Sequence, residues 1–413
     1  MKKILLLLSA LLLMYGCAAK PKMVSAVGSA DASLNVYVID GVISFAGNYS
    51  DIKTKYPYSY SLANEKDENG INPLLSLYTS SICKAKPKYF HISKNTDNGQ
   101  CSFNMIETKG KPFVPAISLV IDREDISIIR INNKYKITAI MALQILSVDM
   151  VSSGIISSVP LYFSYIDIAD TYEQANNPEL HKKMFKKILT KEIPDLVNQK
   201  LEDMIIRTNP KKRIAVTNVT IDQMKPKSLA RLHKNEPNIE TYKIQVANLF
   251  TQMLSNQLHV PFLPYMEDAT IGKMTLSFAN SGKTSSFKIP KADYGIQINM
   301  QGFRVDYKEF ENKSKLATYA AFTNITAEIS YLEKTIFDCD ISTAVQNPHV
   351  NNFETLDERD SLYRAVRELA YEFSNNIYAP KNKWLKTSIS CKNNDAKKSL
   401  KELSVLFDDV RAE

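Results

Sequence analysis

The sequence predicts an α+β protein made of two tandem modules, each a curved antiparallel sheet with helices packed on one face. Long runs rich in β-branched and aromatic residues read as strands, and in 135–150 the apolar residues alternate along one face. Segments with apolar residues at helical spacing stand beside them, for example 242–258. The order strand, helix, several long strands, helix occurs twice in 413 residues, a length that suits two domains. Residue identity between the halves is low, so the repeat is one of pattern.

The first predicted module spans residues 33–207. It opens with a strand at 34–45 and a helix at 72–82. Further strands are predicted at 113–122, 126–131, 135–150 and 155–169. Asn177 and Pro178 suit the N-cap and the first helical position of the closing helix. Pro194 should kink or restart this helix, because proline lacks an N–H group.

The second predicted module spans residues 213–391 and follows a polar, turn-rich break at 208–213. It opens with a strand at 213–221 and the helix 242–258. Further strands are predicted at 273–279, 284–289, 293–307, 316–332 and 335–342. A closing helix begins near Thr355, which with Glu358 fits a capping box. Residues 392–413 form a charged amphipathic tail, and its apolar stripe could dock a partner or pack on its own domain; the stripe is Leu400, Leu403, Leu406 and Val410.

The first 16 residues predict a signal peptide. Two lysines precede an apolar run from Ile4 to Leu13, and this run is shorter than the roughly 20 residues that span a bilayer. Gly16 followed by Cys17 resembles the bacterial lipoprotein cleavage box, although Met14 stands where that box usually has Leu. The resemblance implies that the Cys17 thiol is acylated, with palmitate among the chains, and becomes the first residue of the mature protein. An ordinary secretory signal with a chance cysteine is the alternative.

The residue after the cysteine is Ala18, which by the same resemblance favours the outer membrane over retention at the inner one. Residues 17–32 are small and polar and are expected to form a lipid-anchored flexible tether. No later segment reaches about 18 apolar residues, so the lipid is the expected membrane attachment. The predicted location is the outer membrane, with the protein facing the periplasm.

The charge balance argues against a nucleic-acid partner. The formal net charge is +8, and it falls to +6 when Lys2 and Lys3 leave with the leader. This mild excess is spread over nearly the whole chain, whereas nucleic-acid binding calls for a concentrated basic patch.

Four cysteines remain after the leader: Cys83, Cys101, Cys339 and Cys391. Export implies an oxidising compartment, and four cysteines allow three pairings. We predict Cys83 with Cys101 and Cys339 with Cys391, because each pair lies within one predicted module. None has the close spacing of a redox or zinc motif.

A search for catalytic motifs predicts no enzyme, no cofactor and no metal site. The segment "ANSGKTS" (279–285) lacks the earlier glycine of a phosphate-binding loop, since Ser277 stands there, and it reads as a hairpin turn around Gly282. No GxSxG motif occurs, and five scattered histidines form no metal pair; they are His91, His181, His233, His259 and His349. Asp338 and Asp340 would share one face of a strand, but two carboxylates make a poor calcium site. The acidic loop 65–70 is likewise read as solvated surface.

A candidate docking surface is predicted from three tyrosines at alternate positions, Tyr56, Tyr58 and Tyr60. On an extended segment they would line one face. Exposed, that row could stack on sugar rings or dock a partner. A buried edge strand is the alternative.

The second half resembles a group of bacterial envelope lipoprotein domains. Three segments carry this resemblance: "RIAVTNVT" (213–220), "VANLFTQMLSNQL" (246–258) and "ADYGIQINMQGF" (292–303). The group includes the curli-secretion, exopolysaccharide-export and TolB amino-terminal type domains and the transport-auxiliary lipoproteins. The resemblance implies a role without chemistry: scaffolding, partner recruitment or ring assembly.

The sequence therefore predicts a non-enzymatic, lipid-anchored periplasmic scaffold or accessory subunit of an envelope assembly, such as a secretion, appendage or export machine. Its expected partners are the membrane, reached through the N-terminal lipid, other envelope proteins and possibly itself. A lipid- or glycan-binding transport auxiliary protein is the alternative.

We expect Cys17→Ala to move the protein from the membrane fraction to the soluble fraction, because the variant lacks the thiol that would carry the lipid. Cell fractionation and immunoblotting measure this. Met14→Leu, which supplies the residue usual in the cleavage box, is the control and should stay with the membrane. A Cys17→Ala protein that remains in the membrane fraction would remove the main support for the anchor.

Overall fold

The computed structural model describes residues 33–411 except 98–99, 132, 209–211, 237, 266–271, 279–280, 311–314, 350–356 and 394. The leader, Cys17 and the tether lie outside the described residues. Within them the chain is an α+β protein, as predicted.

The first half, residues 33–207, has long strands in a meander and helices before and after it. Its strands are β1 (Asn35–Ala46), β2 (His91–Ile92), β3 (Lys94–Asp97), β4 (Gln100–Phe103), β5 (Pro115–Ile131), β6 (Lys134–Asp149) and β7 (Gly154–Ala169). Its helices are α1 (Tyr49–Lys55), α2 (Pro57–Asn64), α3 (Pro73–Lys84), α4 (Tyr172–Ala175), α5 (Pro178–Lys187) and α6 (Ile193–Asp203), with a π-helical turn at Ile188–Glu192.

The second half, residues 213–411, has the same order of a first strand, helices, a meander and closing helices. Its strands are β8 (Ile214–Thr220), β9 (Lys273–Phe278), β10 (Thr284–Lys288), β11 (Tyr294–Glu309), β12 (Lys315–Ile329), β13 (Lys334–His349) and β14 (Ile389–Cys391). Its helices are α7 (Pro226–Asn235), α8 (Ile239–Leu258), α9 (Glu358–Asn376), α10 (Asn382–Thr387) and α11 (Ala396–Arg411).

Each half forms a sheet in which the first strand lies beside the meander. The first sheet has the order β1-β5-β6-β7 and the second has β8-β11-β12-β13-β14. The meanders are antiparallel, but β1 is parallel to β5 and β8 is parallel to β11. The sheets are therefore mixed, not purely antiparallel as expected, because the helices that follow β1 and β8 carry the chain back before the next strand begins.

The repeat extends to local backbone geometry. An extra residue bulges β5 at Asp122 and β11 at Gln301, at matching places in the two meanders. The turn into the third meander strand places Ser153 at φ 52° and Glu333 at φ 51°, a left-handed conformation that is uncommon for residues other than glycine. The two halves thus share their meander geometry despite different residues.

One sequence prediction for the first half needs correction, and another is confirmed. Segments 113–122 and 126–131 form one strand, β5, because the bulge at Asp122 carries the chain through its charged stretch without ending the pairing with β6. The predicted restart at Pro194 is confirmed: the π-helical turn leads into α6, whose first turn holds this proline.

In the second half, the closing helix α9 begins at Glu358, and the side chain of Asp357 caps it by accepting a hydrogen bond from the Asp360 N–H. The predicted cap Thr355 lies outside the described residues.

Both predicted disulfides are present. Cys83 on α3 joins Cys101 on β4, and Cys339 on β13 joins Cys391 on β14. The second bridge links directly paired residues of neighbouring strands. Each crosslink therefore stays within one half of the chain.

The layers stack as helices, first sheet, helices and second sheet. Helices of the first half cover one face of the first sheet, where Ile117, Leu119 and Met141 are buried. Helix α8 contacts both β8 and β7, so it packs on the second sheet and on the other face of the first. The helices of the second half therefore lie between the two sheets.

The hairpin β9–β10 belongs by sequence to the second half but pairs with the first sheet. Strand β9 is antiparallel to β1, and the Lys288 N–H donates to the Ser153 carbonyl at 2.7 Å next to β7. A ring of strands thus closes through β1, β5, β6, β7, β10 and β9. Its interior is a separate apolar core formed by Ile39, Ala116, Val120, Leu146, Val148, Ile155, Ala215, Leu263, Met274, Leu276, Phe278 and Phe287.

The C-terminal segment is helix α11, and it packs on its own half. The predicted stripe is buried, at Leu400, Leu403, Leu406 and Val410. Arg207, which follows α6, donates to the carbonyl oxygens of Val410 and Arg411 at the end of α11. The stripe is therefore not an exposed docking face.

None of the helices among the described residues combines the length and the apolar composition that a membrane crossing requires.

We expect Leu276→Ala to lower the free energy of unfolding by roughly 2–5 kcal/mol, because it leaves a cavity in the core that joins the halves. Both halves should still unfold in one transition, measured by urea denaturation with circular dichroism. The control Val405→Ala removes a side chain that is 59% exposed and should change the value by less than about 0.5 kcal/mol. Two separate transitions in the unsubstituted protein would contradict the shared core.

Candidate functional site

A groove runs between the first sheet and the helices of the second half, and we call it the interhalf groove. It consists of adjoining cavities of about 740 and 400 Å³ that share Ser127, Ile129, Tyr162 and Arg359 in their walls. The sheet wall comes from β5, β6 and β7, on the face away from the helices of the first half. The opposite wall comes from α7, α8 and α9.

A cluster of ion-paired side chains lies in the groove and joins the halves through Arg359 and Asp125. Arg359 on α9 binds Glu236 at 2.7 Å and lies 3.5 Å from Asp125 on β5. Arg123, also on β5, binds Asp125 at 2.8 Å. These side chains are largely buried, so losing one partner would leave a charge without compensation in a poorly hydrated place.

A second ion pair closes the same interface. Lys136 on β6 binds Asp357, the N-cap residue of α9, at 2.6 Å, and both side chains are mostly buried. The end of α9 is therefore fixed to the first sheet by a carboxylate that also caps the helix.

Two tyrosines meet across the halves. The rings of Tyr162 on β7 and Tyr363 on α9 stack with centroids 5.1 Å apart at 26°. Burial raises the pKa of Tyr162 to about 12, and burial likewise raises the pKa of Tyr363. Both phenols therefore stay neutral at physiological pH and can act as hydrogen-bond donors.

Asp122, the bulged residue of β5, lies at one end of the groove. Gln144 Nε2 donates to both of its carboxylate oxygens at 2.9 and 2.8 Å. Burial raises the pKa of Asp122 to about 7, against the smaller lowering effects of Gln144 and Lys55. This carboxyl group therefore titrates near neutral pH.

Glu124, two residues further along β5, caps a helix of the first half. Its carboxylate accepts hydrogen bonds from the N–H groups of Tyr58 and Ser59, at 2.8 and 2.7 Å, in the first turn of α2. Burial raises the pKa of Glu124, and these hydrogen bonds oppose the rise. Two nearby carboxylates of β5, one at the bulge and one beyond it, therefore have different surroundings: Glu124 caps α2, and Asp122 lies at the end of the groove.

The predicted row of tyrosines does not form. The segment is the helix α2, not an extended strand, because Pro57 suits its first turn and Glu124 caps it. Tyr56 is buried, and its hydroxyl donates to the carbonyls of Ala46 and Asp122.

The other two tyrosines of this segment point to different neighbours. Tyr58 stacks on Phe185 at 5.4 Å and bonds His181 Nδ1 at 3.0 Å. Tyr60 bonds the hydroxyl of Tyr49 at 3.2 Å. The three rings therefore share no exposed face.

The remaining candidate ligands also stay apart. Among the described residues, no group of three or more His, Cys, Asp or Glu side chains could hold a metal ion. Asp338 and Asp340 do share a face of β13, where Asn324 Nδ2 donates to one oxygen of each and Lys392 binds Asp338 at 2.5 Å. These contacts make them an ion-paired part of the sheet surface.

The groove suits a polar ligand better than an acyl chain. Amide and hydroxyl side chains line it beside the ion pairs, at Asn235, Asn238, Thr241, Gln245 and Asn248. Such groups exchange hydrogen bonds with hydroxyl-rich molecules, whereas a lipid tail needs a continuous apolar lining.

Sequence reasoning missed the groove residues Arg123, Asp125, Glu236 and Arg359. One signal was available: the charged stretch "DRED" at 122–125 sits between two β-rich runs. Charged side chains inside a strand call for partners or solvent, but no local pattern identifies Arg359, which is 234 positions from Asp125.

No protein-family model matches the chain, and no curated protein matches it. The resemblance to envelope lipoprotein domains therefore stays a prediction.

We expect the stability of the protein to fall between about pH 4 and pH 7 in a way that depends on Asp122. The pKa of about 7 in the folded protein exceeds the ordinary 3.8, so the folded state binds this proton more tightly. The tighter proton binding of Asp122 contributes roughly 4 kcal/mol at most to the free energy of unfolding. This contribution is fully present below about pH 4 and is lost as the pH rises through 7.

Asp122→Asn should remove this dependence. Between pH 4 and pH 8 its free energy of unfolding, measured by urea denaturation at both pH values, should therefore fall less than that of the unsubstituted protein. Asp306→Asn, at an exposed ion pair with Arg304, is the control and should leave the difference nearly unchanged. Parallel pH profiles for Asp122→Asn and the unsubstituted protein would refute the assignment.

Proposed function

We propose that this protein is a non-enzymatic, lipid-anchored scaffold or accessory subunit of a bacterial envelope assembly, attached through Cys17 to the outer membrane and facing the periplasm. The leader and its cysteine support the location. The partners would be other envelope proteins or further copies of the chain.

The unpaired outer edge of β7 is the structural feature that best supports the proposal. This strand pairs with β6 along its length, but on the other side it meets only β10 at Gly154 and the segment at Phe262, through Ser158, among the described residues. Beyond Ser158 the edge has no paired strand in the part of the chain that the structure describes. Unpaired strand edges are templates for strand addition by another chain.

The exposed side chains on this edge fit a protein partner. Ile166 and Ile168 are 48% and 63% exposed, and Tyr172 is exposed just beyond them. A solvent-facing edge strand is usually protected by lysine, proline or a bulge. Strand β7 has a bulge at Ile156 and a proline at Pro160, but from Leu161 to Ala169 it has none of the three, and apolar residues there favour association. A partner strand could pair with the backbone and cover both isoleucines.

The interlocked halves suit a scaffold as well. The ion pairs Asp125–Arg359 and Lys136–Asp357 and the shared core of the β9–β10 hairpin fix one half on the other. Such a rigid body presents its edges in a constant orientation, which assembly into a larger structure needs.

The interhalf groove favours a second candidate, a glycan-binding auxiliary protein. Its amide-rich lining and its volume suit a hydroxyl-rich ligand. In this case the groove, not the edge of β7, would be the functional surface.

A photo-crosslinking amino acid at position 168 separates the two candidates. We expect irradiation of intact cells to yield crosslinked species from position 168, because a partner strand would lie against that side chain. The matched control is position 332, where Leu332 is 56% exposed in the β12–β13 turn, and it should yield none. Mass spectrometry then identifies the partner or a second copy.

Equal yields at the two positions, or none at either, would refute the docking edge. If the protein purified from the same cells then carries bound glycan, the groove candidate replaces the scaffold.

A further inference from the structure

The start of the folded chain is surrounded by lysines, which we call the basic collar: Lys84, Lys86, Lys88, Lys94, Lys109 and Lys111. All six are exposed. Residues 84–94 hold four of them and no acidic residue. Asp203 pairs with Lys88 at 2.5 Å, and Glu202 also lies near Lys88. Asp97 and Glu107 lie within three positions of Lys94 and Lys109 in the sequence.

Contacts hold the collar around the first residues of β1. The His91 N–H donates to the Leu34 carbonyl at 2.8 Å, and the Ser93 N–H donates to the Val36 carbonyl at 2.7 Å. These bonds place residues 91–93 beside the N-terminal end of β1, and the segment with Lys84, Lys86 and Lys88 leads into them from the end of α3.

The remaining two lysines reach the same place from another segment. Lys111 lies over the ring of Tyr37, with Nζ 5.6 Å from the ring centroid and 3.3 Å from its hydroxyl. The Asn104 N–H donates to the Ser93 carbonyl at 3.2 Å, which brings the next residue, Met105, to the collar.

Met105 gives the collar an apolar contact. Its side chain is 88% exposed, and no other residue of 101–111 has an exposed apolar side chain. A surface that binds a bilayer typically combines cations, which attract anionic headgroups, with an apolar side chain that enters the interface.

The position of the chain start adds the reason to expect a membrane here. Residues 17–32 span at most roughly 55 Å even when fully extended. An anchor at Cys17 therefore keeps the first residues of β1, and the collar around them, near the bilayer. Over such distances the local charge density rather than the net charge of the protein decides contact, since exposed charges are screened within about 10 Å at 0.1 M salt.

We propose that the basic collar binds the anionic lipid headgroups of the bilayer that holds the anchor, and so fixes the orientation of the folded body on the membrane. This inference rests on the proposed lipid anchor. It assigns the bilayer to one end of the first sheet, the end where β1 begins. The edge of β7 beyond Ser158 extends toward the opposite end of the sheet. Strand β1 begins beside the start of β5, near Pro115, whereas Ala169 at the end of β7 pairs with Tyr135, beside the end of β5. The docking edge would therefore stay free for a partner.

Vesicle sedimentation tests the collar without the lipid. The mature chain, residues 17–413 without the leader and carrying Cys17→Ser, is mixed with vesicles of phosphatidylcholine and phosphatidylglycerol, or of phosphatidylcholine alone. We expect binding to the mixed vesicles only, and loss of binding at high salt because screening shortens the reach of the lysines.

The double variant Lys86→Glu with Lys109→Glu should weaken binding by roughly 30-fold or more, since each lysine at an anionic surface adds about a factor of five. Both side chains are exposed in loops, so the fold should persist, and thermal unfolding checks this. The matched control is Lys183→Glu with Lys186→Glu on the exposed side of α5, which changes the net charge equally and should retain binding.

Equal loss in both double variants would show attraction by overall charge and overturn the proposal, and so would an absence of binding by the unsubstituted chain. The assay contains no lipid anchor. A failed collar is therefore distinguished from a failed anchor, which Cys17→Ala fractionation reports independently.

Discussion

The second face of the first sheet must be removed from water, and the rest of the architecture depends on how this is done. In a two-layer α+β module one face of the sheet packs on helices and the other can stay solvated. Here β5 and β6 carry apolar residues on both faces, with Val120, Leu146 and Val148 buried on the second. The chain covers that face with the β9–β10 hairpin at one end and with α8 and α9 at the other. The two halves are therefore parts of one structure.

The bulge at Asp122 explains why one end of this interface is dry and the other is charged. Before the bulge β5 presents small and apolar residues to the hairpin core; after it, Arg123 and Asp125 face the helices of the second half. Charges at a buried interface need partners: Asp125 pairs with Arg123 and Arg359, and Arg359 pairs in turn with Glu236. The same offset leaves the space that forms the interhalf groove. The matching bulge at Gln301 lies on a polar face of the second sheet, where its side chain donates to Asp340 and the described residues form no such interface.

The surfaces with a proposed role lie on different parts of this rigid body. The basic collar surrounds the start of β1, the docking edge runs along β7, and the groove lies between the halves. Because the shared core and the ion pairs hold the halves together, a bilayer at the collar and a protein at β7 could be bound at the same time. Membrane attachment and partner recruitment would then be geometrically linked without any conformational change.

Local pattern by itself determined much of this protein: the α+β class, the long meander strands, the apolar stripes of α5, α8 and α11, and both disulfides. These follow from side-chain periodicity and from short separations along the chain, which a sequence displays directly. The tertiary structure alone decided which elements meet. Alternation in 273–278 and 284–288 predicts strands but cannot say that they pair with β1 and β7. The tyrosines at 56, 58 and 60 alternate as in a strand, yet Glu124 caps them into a helix from 65 residues away. Periodicity specifies a face, whereas the partner of that face is chosen by burial and charge compensation across the whole chain.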